Sequence, residues 1–148
     1  KTMKLLNTVI YWLSWPAVYV VINNTRRTRI IIQSGEEILL VQPRLANGSW
    51  ELPGGGVKRG ENEVVAACRE VYEELGIVLQ PAALKPLGEH VFTRRRVQMT
   101  AVLYRVVLES KPAIKIQKKE LRGAAWMKLQ DIPKTNDFTD VLSIVDTV

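Results

Sequence analysis

The sequence predicts an α/β domain in which a mixed sheet lies between helices. The 148 residues are 47% apolar and 24% charged, the balance of a globular protein with one sizeable core. Short β-branched runs alternate with segments of helical periodicity. No internal repeat or low-complexity linker divides the chain. Strands and helices mixed in this way pack as layers around a single core.

The first 25 residues form an apolar segment that differs from the rest of the chain. No charged residue lies between Lys4 and Arg26. Residues 5–22 reach the lower length of a membrane span, but polar residues and a proline interrupt them, and a signal-peptide cleavage pattern is missing. We therefore expect residues 1–25 to pack on the domain or on a second copy of the chain, in a homodimer, and not to enter a membrane.

The remaining elements follow from local patterns along the chain. Strands are expected at residues 17–22, 29–32, 38–41, 87–92, 97–108 and 124–127, where β-branched and apolar runs end at turn residues. Helices are expected at residues 3–15, Glu63–Leu75 and 138–145. In the central helix, Val64, Cys68, Val71 and Leu75 form one apolar stripe, and Gly76 is the expected stop.

Charge and composition limit the kinds of partner. The net charge of +6 favours acidic ligands such as phosphates, without the clustered basic surface that nucleic acid requires. The single cysteine, Cys68, cannot form an internal disulfide, so a reducing, cytoplasmic compartment is expected. Because His90 is the only histidine, a metal bound here would need oxygen ligands.

Three glutamates stand out on the central helix. Glu70, Glu73 and Glu74 are spaced i, i+3 and i+4, so they share a face distinct from the apolar stripe. Such carboxylates repel one another unless a cation neutralises them, and hard oxygen ligands suit Mg²⁺ or Mn²⁺. The glycine loop at residues 53–56 would let backbone groups approach a phosphate closely. Taken singly, the glutamates would be a solvated face and the glycines a flexible turn.

The stretch from Gly55 to Ile77 resembles the Nudix box, Gly-x5-Glu-x7-Arg-Glu-U-x-Glu-Glu-x-Gly-U, where U is aliphatic, and every fixed position is filled. Its seven fixed residues would arise by chance on the order of once in a billion windows. Residues 50–55 and 125–133 also resemble the family's run-in and late strand. The resemblance covers residues 26–148, which we take as one Nudix hydrolase domain.

The resemblance implies an α/β/α sandwich with a mixed β-sheet that hydrolyses a nucleoside diphosphate linked to a moiety X. Nucleotide sugars, ADP-ribose, dinucleoside polyphosphates and nucleoside triphosphates are such substrates. By position, Glu70 and Glu74 are the expected metal ligands, with Glu73 sharing metal or water contacts. A carbonyl of Gly54 or Gly55 is the further ligand. The implied cofactor is Mg²⁺, with Mn²⁺ as a substitute.

The resemblance also assigns supporting roles. Arg69 is expected to hold the glutamates in register through an ion pair with Glu61. The general base stays open between a box glutamate, Glu70 or Glu73, and a carboxylate from a later loop. Glu120 is the first candidate for the latter and Glu109 the second.

Substrate contacts are less well defined by the sequence. Arg44 is expected either to contact a terminal phosphate or a ribose of the substrate, or to be an exposed charge in a loop. Arginines 94–96 form an anion-binding rim or a solvated turn. Trp50 stacks on a base or packs in the core. Cys68 and His90 are expected to be structural. Lys58 departs from the acidic residue that many relatives have there.

Three other functions remain to be distinguished from hydrolysis of a small nucleotide. The first is a nucleotide-binding domain without turnover, for which repelling carboxylates would bring little advantage. The second is removal of a 5′ pyrophosphate or cap from RNA, which needs a continuous basic groove. The third is isomerisation of an isoprenoid diphosphate, which usually needs a catalytic cysteine outside the box, whereas Cys68 lies within it.

Overall fold

Five strands form one mixed sheet in the part of the chain that the structure, a computed structural model, describes: residues 25–44, 48–94 and 97–133. The strands are β1 (Thr25–Ser34), β2 (Glu37–Pro43), β3 (Lys85–Arg94), β4 (Val97–Val107) and β5 (Leu121–Lys128). Their order across the sheet is β3-β4-β1-β2-β5. Strands β1 and β4 are parallel, and the other neighbours are antiparallel. The expected α/β class is confirmed.

The strands expected after residue 25 are all present, with different ends. The first and last, for example, each extend beyond the apolar runs that predicted them, at residues 29–32 and 124–127. The expected elements at residues 3–15, 17–22 and 138–145 lie outside the described residues. Within the described ranges, no helix has both the length and the apolar character needed to cross a membrane.

Helix α1 (Glu63–Leu75) has the bounds that the sequence predicts. Asn62 caps its start, because the side-chain oxygen accepts a hydrogen bond from the Val64 N–H at 3.0 Å. Gly76 ends it in the left-handed conformation, with φ of 69°, and its N–H donates to the Tyr72 carbonyl.

Helix α1 covers one face of the sheet, and its buried side differs slightly from the predicted stripe. Val71 and Leu75 are fully buried, as expected, while Cys68 only packs partly against the same core. Ala67 lies in this core as well. Glu74, which was expected on a separate face from this stripe, is also buried. The glycine loop covers its carboxylate and supplies a hydrogen bond.

Strands β1 and β2 pair only at their hairpin, between Gln33 and Ile38 and between Ser34 and Glu37. Beyond that point they diverge, and residues 51–57 fill the gap. On one side Val41 pairs with Glu51. On the other, the backbone of β1 bonds to the glycine loop. This insertion brings the loop before α1 into the middle of the sheet.

Candidate active site

The glycine loop is fixed to β1 by backbone hydrogen bonds. The N–H of Thr28 donates to the Gly55 carbonyl at 2.8 Å, and the N–H of Ile30 donates to the Pro53 carbonyl at 3.0 Å. Gly54 has φ of 131°, and a Cβ there would lie 2.3 Å from the Thr28 carbonyl oxygen. A side chain at this position would therefore prevent the loop from packing on the strand.

Glu74 points from α1 into this loop. Its side chain accepts a hydrogen bond from the Gly54 N–H at 3.0 Å, and the residue is only 9% exposed. Burial raises its pKa to about 7, and the charges of Glu70 and Glu120 add to the increase. The Gly54 N–H and the charge of Arg29 oppose it. Glu74 is thus a buried carboxylate whose charge is incompletely balanced by the protein.

Glu70 lies against the next glycine. A Cβ on Gly55 would be 2.2 Å from Glu70 Oε2, so the absence of a side chain makes room for this carboxylate. Glu73, in contrast, has a side chain that is 46% exposed. The structure therefore brings Glu70 and Glu74 together at residues 54–55 and leaves Glu73 at the rim.

Arg69 connects the parts of the box. It forms two hydrogen bonds with Glu61, of 2.7 and 2.9 Å, and the expected ion pair is present. Its Nη1 donates to Glu70 at 2.7 Å and to Glu73 at 3.1 Å. Its Nη2 also donates to the Gly56 carbonyl at 3.0 Å. One guanidinium thus ties the glycine loop to the helix face that carries the glutamates.

The two candidates for a later-loop base lie at different ends of the sheet. Glu120 is exposed in the turn before β5, and its negative charge contributes to the raised pKa of Glu74. The backbone of its turn is tied to the helix through the Gln117 N–H, which donates to the Glu74 carbonyl at 2.9 Å. Glu109 follows the end of β4, where Val107 pairs with Gln33. Gln33 lies roughly 16 Å along β1 from Thr28, the residue that bonds to the glycine loop, at a rise of about 3.3 Å per residue. The structure therefore places Glu120, and not Glu109, near the box.

Arg44 is exposed beside the turn that contains Glu120. Its backbone N–H donates to the Glu120 carbonyl at 2.8 Å, and its Nε donates to the Lys118 carbonyl. Its own carbonyl accepts from Arg122 at 3.0 Å. Arg44 therefore links the end of β2 to this turn.

One further residue of the site, Arg29, was not found from the sequence. Arg29 on β1 is 8% exposed and donates to the Gly54 carbonyl at 2.7 Å and to Glu51 at 3.4 Å. It supports the glycine loop from the sheet. The isoleucines that follow Arg29 predict a strand but give no role for the arginine. Its role becomes visible only when β1 is paired with the glycine loop in the folded chain.

The other predicted contacts are placed as follows. Trp50 and Cys68 pack partly against the hydrophobic cores, and His90 lies on β3 opposite Ala101. Arg94 ends β3, and residues 95–96 lie outside the described ranges. The backbone N–H of Lys58 donates to Glu61 at 2.9 Å, so this residue participates in the box through its main chain.

A cleft of about 620 Å³ opens at the first turn of α1. Glu61, Asn62 and Tyr104 are among the residues that line it, but the glutamates at positions 70, 73 and 74 are not. We therefore assign the chemistry to the glycine loop and not to this cleft.

The donors at the loop fit a hard divalent cation. Among the described residues, no group of three or more His, Cys, Asp and Glu side chains is placed to hold a metal ion. The carboxylates of Glu70 and Glu74 lie beside the carbonyls of Gly54 and Gly55. The Gly54 carbonyl accepts a hydrogen bond from Arg29 and keeps a second lone pair, whereas the Gly55 carbonyl accepts from both the N–H and the hydroxyl of Thr28. Mg²⁺ commonly uses one or two carboxylates and completes its shell with water and phosphate oxygens. The unfavourable charge of buried Glu74 is what such an ion would relieve.

Comparison with known proteins agrees with this arrangement. The family model for the NUDIX domain matches residues 15–145, and the chain belongs to the NUDIX family. Among solved structures, a MutT NUDIX hydrolase from Burkholderia pseudomallei has a TM-score of 0.73 at 25% identity, over 85% of this chain and 98% of that chain. The resemblance of residues 55–77 to the Nudix box is thereby confirmed.

Two curated relatives are similar over most of the domain. Diphosphoinositol polyphosphate phosphohydrolase 2 from Rattus norvegicus is 31% identical over 100 residues, which are 67% of this chain and 54% of that protein. An 8-oxo-dGDP phosphatase from Homo sapiens is 30% identical over 119 residues, which are 79% of this chain and 36% of that protein. The chain thus spans about half or less of the length of these relatives.

Proposed function

We propose that this Nudix domain hydrolyses a phosphoanhydride bond in a nucleoside diphosphate linked to a further group, with Mg²⁺, or Mn²⁺ in its place, as cofactor. The observation that supports the proposal is the convergence of Glu70 and Glu74 on the backbone of Gly54 and Gly55. A cation-binding carboxylate pair beside a loop of closely approachable backbone suits a diphosphate.

In this proposal, Glu70, Glu74 and a carbonyl of Gly54 or Gly55 hold the cation. A bound ion would neutralise the negative charge that develops on the phosphoryl oxygens. Arg69 holds the glutamates in position relative to the glycine loop, because it bonds to Glu61, Glu70 and the Gly56 carbonyl. The chain's contribution is therefore to hold ligand oxygens in place before the substrate arrives.

A carboxylate at the edge of the site is proposed to accept the proton of the attacking water. Glu120 suits this role because it is exposed, lies close enough to influence Glu74, and belongs to a turn that is bonded to α1. Glu70, which is bonded to Arg69, acts as a metal ligand, and Glu73 at the rim contacts water.

The substrate is proposed to be a small phosphorylated molecule and not a nucleic acid. The two curated relatives are named for different substrates, a diphosphoinositol polyphosphate and 8-oxo-dGDP. Both are named for small phosphorylated compounds and for cleavage at phosphate, which supports the substrate class and the reaction type.

Hydrolysis of a panel of compounds tests the proposal. Purified protein with Mg²⁺ or Mn²⁺ is incubated with ADP-ribose, nucleotide sugars, dinucleoside polyphosphates, nucleoside di- and triphosphates and a diphosphoinositol polyphosphate, and phosphate products are measured. We expect metal-dependent cleavage of at least one member. Glu70→Gln and Glu74→Gln should each lower kcat/KM about a hundredfold or more, since a bound ion supplies several kcal/mol of charge stabilisation.

Glu109→Gln is the matched control, because this exposed carboxylate lies at the far end of the sheet and should leave turnover unchanged. Binding of nucleotides without any metal-dependent cleavage would instead indicate a non-catalytic domain and contradict the proposal.

A further inference from the structure

Arg27 lies on β1 at the point where the strand meets the glycine loop, and its backbone pairs with Gly56. Side chains alternate along a strand, so Arg27 and Arg29 share a face with Ile31. Ile31 belongs to the core on the opposite face from α1, whereas Ile30 belongs to the core under the helix. Arg27 therefore approaches the loop from the side of the sheet that α1 leaves open.

The guanidinium of Arg27 lacks the partners that its neighbours have. Arg26 forms ion pairs with Glu63 and Glu89, and Arg29 bonds to the Gly54 carbonyl and to Glu51. The Nε of Arg27 is buried and finds no hydrogen-bond partner, and no carboxylate of the described residues forms an ion pair with this side chain.

The charges around Arg27 are those of the site. Burial lowers its pKa, the positive charge of Arg29 adds to this effect, and Glu51, Glu70 and Glu74 oppose it. An arginine stays charged in spite of such a shift. A partly buried cation without a hydrogen-bonded partner is destabilising, and binding of an anion removes that penalty.

We propose that Arg27 binds a phosphoryl group of the substrate, from the sheet side of the loop, while the glutamates act from the helix side. The proposal rests on the proposed function and adds a binding residue to it. A planar guanidinium can donate two parallel hydrogen bonds to phosphate oxygens, which suits Arg27, whose Nε is unpaired. The diphosphate would then be held from two directions.

Arg105 offers a comparison within the same sheet. Its Nε is also buried without a partner, but its Nη2 donates to the Gln33 side chain at 2.6 Å, at the other end of β1. If an unpaired Nε only reflects how arginines pack in this sheet, replacing either residue will have the same effect. If Arg27 binds phosphate, only its replacement will affect the ligand.

The test compares wild-type protein with Arg27→Gln, Arg27→Lys and Arg105→Gln. The affinity for methylenediphosphonate, a diphosphate that cannot be hydrolysed, is measured by calorimetry in the presence of Mg²⁺. We expect Arg27→Gln to weaken binding about tenfold or more, as for loss of a charge-assisted hydrogen bond. Arg27→Lys should recover part of the affinity because the charge remains, and Arg105→Gln should match the wild type.

Two further measurements separate binding from structure. The thermal midpoint of Arg27→Gln without ligand should equal or exceed that of the wild type, because the variant removes a partly buried cation whose Nε is unpaired. On a substrate that the wild type hydrolyses, KM should rise more than kcat falls. A lowered midpoint with unchanged affinity, or a fall in kcat at unchanged KM, would overturn the proposal.

The outcomes also distinguish this proposal from the proposed function. If the wild type cleaves a substrate and Arg27→Gln binds the probe equally well, Arg27 has no role in phosphate binding but the hydrolase assignment stands. If the wild type neither binds the probe nor cleaves any compound of the panel, both proposals fail.

Discussion

Glu74 is the residue at which the fold and the proposed chemistry are most closely linked. A buried carboxylate is destabilising unless it is hydrogen-bonded, and for Glu74 the Gly54 N–H is the donor. Burial nevertheless raises the pKa of Glu74 to about 7, and the negative charges of Glu70 and Glu120 add to the increase. A site that binds a cation gains affinity from such a residue, because the ion balances the charge of the carboxylate when it binds.

Gly55 gives a prediction at the same scale. A Cβ on this residue would overlap the Glu70 side chain, so Gly55→Ala should displace that carboxylate and lower kcat/KM at least about tenfold, as for a ligand moved by an ångström or so. Gly56→Ala is the control, since a Cβ there meets nothing within 4 Å. Steady-state kinetics of both variants check the prediction, and equal activities would show that the space beside Glu70 does not matter.

The Arg69–Glu61 ion pair predicts a pH dependence of stability. The hydrogen bond from Arg69, aided by the Lys58 N–H, lowers the pKa of Glu61 to about 2. A lowered pKa means that the stabilisation is complete above the ordinary value of 4.5 and is lost as the pH falls toward 2. Glu61→Gln should therefore lower the thermal midpoint at pH 7, and its difference from the wild type should shrink below about pH 5.

A surface ion pair serves as the control for this prediction. Glu36 is paired with Lys128, but its side chain is 81% exposed. Glu36→Gln should change the midpoint little at any pH, because exposed pairs contribute little. A pH-independent loss of stability in Glu61→Gln would indicate that packing, and not the ion pair, accounts for the effect.

Some residues of the site could be predicted from the sequence and others could not. Helical spacing predicted that Glu70 and Glu74 share a face, and the resemblance to the Nudix box implied the role of Arg69. Arg27 and Arg29 were not identified, since their roles depend on a loop that is about 25 residues away in sequence and reaches β1 only in the folded chain.

Among the elements, α1 was predicted to the residue because its ends have local signals. Asn62 supplies the cap and Gly76 the left-handed stop. The strands were predicted by type but not by length, since polar residues such as Arg27 extend β1 wherever a neighbouring strand offers hydrogen bonds. Which strands become neighbours is a long-range property, and the parallel pairing of β1 with β4 was not predicted.

The cap of α1 can be tested separately from the site. Asn62→Ala removes the acceptor for the Val64 N–H and should lower the free energy of unfolding by about 1 kcal/mol. Asn62→Ser should restore most of the loss, because serine also caps helices. Urea denaturation measures both, and an alanine variant as stable as the serine variant would contradict the assigned cap.

At the scale of the whole molecule, the site results from the divergence of two neighbouring strands of the sheet. Strands β1 and β2 separate after two residue pairs, and the loop before α1 occupies the space between them. This brings the glycines, the helical glutamates and the arginines of β1 to one place, although they come from distant parts of the chain. The family resemblance predicted the class of fold, but not this insertion or the burial that it imposes on Glu74.

The most direct measurement is the location of bound manganese in crystals grown with Mn²⁺ and methylenediphosphonate. Anomalous scattering should show an ion with Glu70 and Glu74 among its ligands and a phosphonate oxygen completing its shell. Crystals of Glu70→Gln grown in the same way should show weaker occupancy at that position. An ion bound elsewhere, or none beside these two glutamates in a crystal that holds the diphosphonate, would contradict the account.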